Sequence, residues 1–243
     1  MDPREHDRMA AQEERHFWFR GTRRVILAVL RRAVGDRPGR VLDLGCGTGF
    51  TLAQVEGEPR VGLDRSAHAL AWARGKGGLT LARGEASALP FADRSFDVVL
   101  ALDVLEHVDD DAGAAREAWR VLRPGGVLLA TVPALRSLWS DHDEALEHRR
   151  RYRAGELRTL LSGAGFDAID AGYYNFFLFP LVAASRILTR LRPRRGQAHS
   201  HLRTPPRPIN DVLAAVLGAE RHLALRVPFP VGVSIIAVAR RPR

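Results

Sequence analysis

The ten residues 41–50, VLDLGCGTGF, restrict the fold of this 243-residue chain more than any other stretch. Four strand-like residues run directly into a loop in which Gly45, Gly47 and Gly49 alternate with other residues. Because each glycine raises the entropic cost of ordering a loop, such a loop gains little unless a ligand needs close contact with the backbone. A glycine-rich turn after a first strand is typical of open α/β folds that bind nucleotide-like ligands there.

The rest of the chain alternates short apolar runs with helix-like segments, a pattern typical of a parallel sheet. The pattern predicts strands at 40–44, 60–64, 79–83, 96–100, 127–132, 166–174 and 231–240. It predicts helices at 13–34, from the glycine loop to 55, and at 66–74, 110–121, 154–164 and 209–225. About fifty-five residues separate the last two strands, where a hairpin needs only a few.

The predicted organisation has three parts: an N-terminal helical lid at 1–38, an α/β core at 39–175 and 228–243, and a helical cap at 176–227 inserted between strands six and seven. The single cysteine, Cys46, excludes an internal disulfide and fits a reducing compartment. Neither the polar N-terminal stretch nor the run 176–191, which Pro180 interrupts, is typical of a signal peptide or a membrane span. We therefore expect a cytoplasmic protein.

Positive charge is concentrated late in the chain. The net charge is +9, and from residue 186 onward twelve arginines stand against Asp211 and Glu220 only. This basic segment could meet phosphates, an anionic membrane surface or an acidic substrate. Because Lys76 is the only lysine, biased codon usage explains the many arginines equally well. No nucleic acid partner is expected, since ALDV after strand four lacks the N-P-P-Y type of tetrapeptide.

Carboxylates at the predicted strand ends describe one ligand. Asp43, two residues before Gly45, would repel a pyrophosphate but can accept hydrogen bonds from an ammonium. Asp64 ends strand two, where it can accept from both ribose hydroxyls. Glu85 and Ala86 follow strand three and offer a carboxylate and a backbone N–H to an adenine. An amino acid end, a ribose and an adenine without phosphates describe S-adenosylmethionine. A dinucleotide is disfavoured, because the sixth position of the loop is not the glycine of that fingerprint.

These stretches resemble the class I S-adenosylmethionine-dependent methyltransferases of the small-molecule type, in particular types 11 and 25. Matching runs span 40–133: VLDLGCGTGF, VGLDRS, GEASALPF, FDVVLALDVLEHV and LRPGGVLLATVP. The resemblance implies a Rossmann-like seven-stranded sheet whose strands six and seven form an antiparallel edge. It implies a cofactor site for which we select Trp18, Arg23, Asp43, Gly45, Cys46, Gly47, Asp64, Arg65, Glu85, Ala86, Leu102 and Asp103. Glu85 departs from the Asp that many relatives carry.

Methyl transfer requires an aligned acceptor and, for an oxygen acceptor, benefits from a general base. His107 follows strand four, and His142 and His148 lie in an acidic and basic segment whose D-H-D…H-R-R-Y pattern also resembles a subgroup of the family. We predict that the base is one of these three histidines; a salt-bridged loop is the alternative. A zinc site from His142, Asp143 and His148 is a third reading, but its spacing matches no known motif, and no metal is predicted.

Aromatic residues beyond strand six predict an apolar acceptor pocket or lid. The predicted acceptor residues are Tyr152, Tyr173, Tyr174, Asn175 and Phe176. Plain packing of the cap against the sheet is the alternative. The following RILTRLRPRR resembles an interfacial amphipathic segment that could touch anionic lipid.

The predicted function is methyl transfer from S-adenosylmethionine, by in-line displacement, to the O, N or C atom of a small-molecule acceptor such as a secondary metabolite, a sugar or a quinone-like compound; a hydrophobic acceptor is an alternative to a soluble one. A lipid-linked or membrane-proximal acceptor is the main alternative. Methylation of a nucleic acid or protein, and cofactor binding without catalysis, rank lower. The sequence leaves the acceptor and the oligomeric state open.

Overall fold

A computed structural model describes residues 3–36, 38–190 and 204–243. Its sheet has seven strands in the order β3-β2-β1-β4-β5-β7-β6. In chain order they are β1 (Val41–Leu44), β2 (Arg60–Asp64), β3 (Thr80–Arg83), β4 (Phe96–Leu102), β5 (Leu122–Pro133), β6 (Asp167–Tyr174) and β7 (Ser234–Arg240). Strand β7 pairs antiparallel with both β5 and β6, and the other pairs are parallel. The predicted seven-stranded Rossmann-like sheet is confirmed, with β7 alone running against the other strands.

Eight α-helices accompany the strands in the part of the chain that the structure describes. They are α1 (Pro3–Gln12), α2 (Phe17–Val34), α3 (Ala67–Arg74), α4 (Asp111–Val121), α5 (Asp141–Ala145), α6 (Ala154–Gly163), α7 (Phe179–Arg190) and α8 (Arg207–Ala219). The predicted N-cap of α3 is confirmed, since the Ser66 hydroxyl accepts from the Ala69 N–H at 3.2 Å. Asp110 caps α4 in the same way, accepting from the Gly113 N–H at 2.7 Å.

The prediction of a full helix after the glycine loop is wrong. Only a 3-10 turn, Leu52–Gln54, forms there. Seven residues separate Gly49 from Gly57, and both glycines adopt positive φ, so the segment is too short for a stable α-helix. Leu52 of this turn packs in one core cluster with helix α2, which contributes Val25, Ile26, Val29 and Leu30 to it.

The two faces of the sheet carry separate cores. On one face the helices α4 and α6 bury alanines and leucines against β4, β5 and β7. On the other face the apolar side of α2 packs on Val41, Val98, Leu100 and Leu129. Because the central strands are covered on both faces, their carboxyl ends form the accessible edge at which open α/β sheets bind ligands.

Helix α8 packs directly on α2. Asn210 accepts from the Phe17 N–H and donates to the Arg15 carbonyl, both at 2.8 Å. At the crossing, a Cβ on Gly21 would lie 2.4 Å from Cβ of Leu217. The segments predicted as lid and cap are therefore in contact with each other over the sheet. Residues 191–203 of the predicted polar linker lie outside the described residues.

Among the described residues, none of the helices combines the length and the apolar character that crossing a bilayer requires.

Candidate functional site

The glycine loop adopts a conformation that favours glycine at three positions. Gly45, Gly47 and Gly49 have φ of +63°, +54° and +73°, the left-handed region that other residues rarely adopt. A Cβ on Gly45 would lie 2.3 Å from Val104 Cγ2. A Cβ on Gly47 would meet no heavy atom of the described residues within 4 Å, so the backbone there faces open space. The loop thus offers exposed main chain to a ligand.

Asp64 ties this loop to β2. Its Oδ2 accepts from the Gly47 N–H at 2.9 Å, and its Oδ1 accepts from the Ser66 N–H at 2.8 Å. Each carboxylate oxygen retains a further lone pair. The side chain can therefore fix the loop and still accept from a ligand hydroxyl.

Asp43 is a buried carboxyl group without a complete set of partners. It is 3% exposed, and its Oδ1 has no hydrogen-bond partner within the described ranges. Burial, reinforced by the charge of Asp64, raises the pKa of Asp43 to about 8. An ammonium group at this point would supply both a donor and a compensating charge. S-adenosylmethionine carries such a group, so the residues present fit it.

The neighbouring Cys46 is structural rather than reactive. Its N–H donates to the Leu63 carbonyl at 3.0 Å. Burial and the carboxylates of Asp43 and Asp64 raise the pKa of its thiol far above the usual range. At neutral pH the sulfur stays protonated and is a weak nucleophile.

The predicted adenine-side residues lie at the ends of β2 and β3. Ala86 is buried, whereas Glu85 is exposed and forms an isolated bridge with Ala88. Arg65 is also exposed, and its carbonyl accepts from Arg83 Nε at 3.0 Å. The structure brings these residues to the same edge as Asp64, since Asp64 pairs with Arg83 in the sheet.

Residues 3–16, here called the N-terminal strap, belong to the segment predicted as an N-terminal lid and contact this loop through Glu13. The buried Glu13 accepts from the Thr48 hydroxyl and pairs with Lys76 Nζ at 3.0 Å. Arg23 of α2 donates to the Glu13 carbonyl at 2.6 Å and lies 4.1 Å over the ring of Phe50. No local pattern marks Glu13, because its partners are distant in sequence.

Arg23 and Trp18 both lie on α2. Burial, which outweighs attraction by Glu13 and Glu14, lowers the pKa of Arg23 to about 10, so it stays charged at neutral pH. Trp18 is half-buried in the first turn of α2. The structure brings Arg23 next to the loop through Phe50 and Glu13.

At the end of β4, Asp103 adopts φ +53°, an uncommon conformation for a non-glycine residue. Its carboxylate accepts from the Thr131 hydroxyl, and its N–H donates to the same oxygen, both at 3.1 Å. The half-buried Leu102 precedes it. Strained backbone of this kind is common where a side chain is aimed at a ligand.

The three candidate histidines have different surroundings. His148 Nδ1 lies 2.9 Å from Asp143 Oδ1. Asp143, one of the two aspartates that flank His142, contacts His148 and Arg151 through hydrogen bonds. Burial opposes ionisation of Asp143, but the hydrogen bonds from His148 and Arg151 prevail and hold its pKa well below the usual range. Asp143 is therefore charged and fixed.

His142 and His107 are poor bases in this environment. Burial, aided by the charge of Arg186, lowers the pKa of His142 to about 3. Burial and neighbouring His148 lower the pKa of His107 to about 4. Efficient general bases have a pKa near the working pH. Asp143 lies within hydrogen-bonding distance of His148 Nδ1 and can orient the His148 ring.

Two of the predicted acceptor residues, Tyr152 and Tyr174, belong to the cores on the two faces of the sheet. Tyr152 donates to Asp111 Oδ2 at 2.8 Å. The fully buried Asn175 adopts φ +59° and donates to Ser234 Oγ at 3.4 Å. Tyr173 is half-buried, its hydroxyl 3.5 Å from the Ala154 N–H.

The remaining acceptor candidate, Phe176, is half-buried and stacks on Phe229 with the ring centroids 4.7 Å apart. Phe229 belongs to the segment before β7, so the stack joins the two ends of the inserted region. Apolar surface near β6 is therefore concentrated at Phe176 and its neighbours rather than at the two buried tyrosines.

Known proteins of similar sequence include methyltransferases. Residues 42–130 match the model of a family described as a methyltransferase domain. The chain is 35% identical over 162 residues to a probable S-adenosylmethionine-dependent methyltransferase of Mycolicibacterium smegmatis, covering 65% of this chain and 62% of that protein. It is 33% identical over 160 residues to the trans-aconitate 2-methyltransferase of Deinococcus radiodurans, covering 64% and 59%. The chain thus spans about three fifths of the length of these relatives.

A solved structure of similar fold covers nearly the whole chain. It is a SAM-dependent methyltransferase of Thermotoga maritima, described as a possible histamine N-methyltransferase, with a TM-score of 0.62 and 18% identity over 98% of this chain and 95% of that chain. This likeness shows a shared fold. Residues 42–130 are a methyltransferase domain by the matched family model, and the relatives and the shared fold make the chain similar to the class I S-adenosylmethionine-dependent methyltransferases.

Proposed function

We propose that the protein transfers a methyl group from S-adenosylmethionine to a small-molecule acceptor. The observation that carries this proposal is Asp43, whose buried Oδ1 has no partner in the described ranges. The carboxyl group stands two residues before a loop of left-handed glycines. An amino acid ammonium meets the need of this oxygen, whereas a pyrophosphate would be repelled.

In this proposal Asp43 holds the ammonium, Asp64 accepts from the ribose hydroxyls, and Glu85 with Ala86 meets the adenine. Trp18, Arg23 and the loop close the site from the strap side. Leu102 and Asp103 bound it at the end of β4. When bound, S-adenosylmethionine would supply an electrophilic methyl carbon, with the thioether sulfur as the leaving group that keeps the C–S electron pair. The chain's own task is to align the acceptor and exclude water.

We propose that His148 acts as the general base that removes the proton of the acceptor. Its Nδ1 lies on the fixed carboxylate of Asp143 at 2.9 Å, so its Nε2 is the atom left to accept a proton. The pKa values of His107 and His142, lowered to about 4 and about 3, make these two weaker candidates. An oxygen acceptor would gain most from this arrangement.

Two observations favour a small and partly apolar acceptor, such as a secondary metabolite. One relative is named for trans-aconitate, a small molecule. Phe176 and its stacking partner Phe229 offer aromatic surface near β6, where Tyr173 is also half-buried. A flat metabolite ring would pack against such surface.

Calorimetry with S-adenosylmethionine and with NADH tests the proposal. We expect binding of S-adenosylmethionine and none of NADH. Asp64→Ala should weaken S-adenosylmethionine binding by roughly 1.5–3 kcal/mol, the value of hydrogen bonds to a charged group. Asp36→Ala is the control, because Asp36 is an exposed carboxylate on the linker before β1.

Asp64 also fixes the loop, so thermal unfolding of each variant is measured alongside. Unchanged affinity of Asp64→Ala would refute the ribose assignment. Binding of NADH with the affinity of S-adenosylmethionine would refute the cofactor assignment as a whole.

A lipid-linked or membrane-proximal acceptor is a second candidate, favoured by exposed apolar side chains on the inserted helices. On α7 these are Leu181, Ile187 and Leu188, and on α8 they are Ile209 and Val212, each more than half exposed. The chain from residue 186 onward is strongly basic. Apolar surface next to positive charge suits an anionic membrane surface.

Sedimentation with vesicles tests the second candidate. We expect binding to phosphatidylserine vesicles that falls at high salt and falls at least several-fold in the double variant Ile187→Ser, Leu188→Ser. Trp72→Ser on α3 serves as the control for loss of exposed apolar surface. Equal sedimentation with neutral and anionic vesicles would contradict this candidate.

A further inference from the structure

We propose that Glu106, His107 and His148 form a binding site for a divalent transition-metal ion, with zinc as the best match. One carboxylate oxygen and one nitrogen from each ring lie within 4.8 Å of one another. Glu106 and His107 come from the turn after β4, and His148 comes from the segment after α5. The backbone joins the two segments, since the Arg149 N–H donates to the Glu106 carbonyl at 2.8 Å.

Glu106 is the observation that points to an ion. Its side chain is 0% exposed, and neither Oε1 nor Oε2 has a hydrogen-bond partner in the part of the chain that is described. The Nε2 of His148 lies 4.0 Å from Glu106 Oε1, beyond hydrogen-bonding distance. A buried carboxyl group without donors is costly. A bound cation would satisfy both oxygens.

The His148 imidazole has the kind of outer partner that metal-binding histidines usually have. Asp143 Oδ1 lies within hydrogen-bonding distance of His148 Nδ1, at 2.9 Å. The other ring nitrogen, Nε2, is therefore directed to Glu106. Arg151 fixes Asp143 through two hydrogen bonds of 2.7 and 3.1 Å. Such partners set the tautomer and orientation of ligating rings.

The donor set selects the metal. Two imidazoles and one carboxylate suit zinc and its transition-metal neighbours, whereas magnesium and calcium prefer oxygen donors alone. Around zinc, ligand atoms about 2.1 Å from the metal are separated by roughly 3.4 Å. The ligand atoms here lie up to 4.8 Å apart. Side-chain rotations that move each atom by about 1 Å would bring them to the separation that zinc requires. Three protein ligands would leave a position open for water or substrate.

The role of the ion, unlike the site itself, rests on the function proposed above. An oxygen acceptor bound at the open position would lose its proton to solvent more readily, because the ion lowers the pKa of a bound hydroxyl. His148 would then be a ligand, and the ion would replace it as the group that activates the acceptor. In the metal-free protein His148 keeps the role of base.

Calorimetry with zinc chloride on the chelator-treated full chain tests the site without any methyl transfer. We expect one ion per chain with micromolar or tighter affinity, and a higher unfolding temperature when zinc is present. Glu106→Gln keeps the shape of the side chain and should weaken zinc binding at least tenfold. Asp143→Asn should weaken it by roughly 10- to 100-fold through His148.

His222→Gln is the matched control, since His222 is exposed and lies away from the cluster on the turn after α8. It should bind zinc as the unmodified chain does. Cobalt provides a second readout, because a tetrahedral site gives visible absorption that Glu106→Gln would lose. Wild-type binding weaker than about 100 μM, or equal zinc affinity in Glu106→Gln and wild type, would overturn the proposal.

Methyl transfer and metal binding can fail separately. S-adenosylmethionine binding without zinc binding would remove the metal site and leave the proposed function intact. Zinc binding without S-adenosylmethionine binding would do the reverse. Methyl transfer that survives chelation unchanged in a zinc-binding chain would refute the role of the ion while keeping its site.

Discussion

At the scale of single residues, buried charge distinguishes the functional edge from the rest of the surface. Asp43 and Glu106 are both buried carboxyl groups with oxygens that lack partners among the residues described. Asp43 lies near the end of β1, and Glu106 lies in the turn that follows the neighbouring strand β4. Burial raises the pKa of both groups, and in each case a nearby aspartate adds to the effect, Asp64 for Asp43 and Asp103 for Glu106. Groups that destabilise the unliganded fold in this way are typical of binding sites.

Asp43 gives a pH-dependent prediction. Its pKa is about 8 in the folded chain against 3.8 ordinarily, so between these values the folded state holds a proton that the unfolded state has lost. Stability from this group is therefore lost as pH rises from about 4 to about 8. Asp43→Asn removes this dependence and should raise the free energy of unfolding at pH 8 by about 2 kcal/mol or more, at about 1.4 kcal/mol per pKa unit.

The measurement is urea denaturation of both chains, without ligand, at pH 5 and pH 8. The gain from Asp43→Asn should be larger at pH 8 than at pH 5, and the same variant should lose S-adenosylmethionine affinity. A gain that does not change with pH would show that Asp43 is already ionised in the folded chain.

At the scale of elements, the contact between α2 and α8 depends on one glycine. Gly21 allows the backbones to approach so closely that a Cβ there would lie 2.4 Å from Cβ of Leu217 and 3.4 Å from the Ala214 carbonyl oxygen. Neither group is the free end of a flexible side chain, so the helices would have to separate. Asn210 and Arg20 add polar contacts along the same interface.

Gly21→Ala should therefore destabilise the chain by about 1–3 kcal/mol, the usual cost of overpacking. Gly163→Ala is the matched control, because it is also a helical glycine and its Cβ would meet no described atom within 4 Å. That control should be neutral or stabilising by up to about 1 kcal/mol. Thermal and urea unfolding measure both, and equal effects of the two substitutions would contradict the close approach.

Most elements could be predicted from the sequence because their signals are local. Strand β2 has the predicted ends 60 and 64, and Ser66 caps α3 as expected. The glycine-loop helix was wrong because its apolar residues suggested a helix, while the glycines on either side shortened it to a 3-10 turn. The contacts of Glu13 with Thr48 and of Asp143 with His148 could not be predicted. The first joins segments that are distant in sequence, and the second depends on the path of the turn between α5 and His148.

At the scale of the whole molecule, the charge distribution has internal as well as external uses. Arg241 is buried, stacks on Trp119 and donates to the carbonyls of Trp119, Arg120 and Leu122 at the end of α4. Arg32 of α2 similarly donates to the Arg221 and Ala224 carbonyls. A count of arginines in the sequence could not show which guanidiniums are fixed on backbone carbonyls.

The N-terminal strap has a kinetic consequence for the site that it covers. Glu13 is held by Thr48 and Lys76 beside the glycine loop, and Asp7 binds His68 and Trp72 on α3 at 2.7 and 3.0 Å. A ligand seated on the loop would be enclosed by these contacts, and they must break before it can leave. The frequency of strap opening, rather than the rate of diffusion or of bond formation, would then set how fast spent cofactor is exchanged for fresh.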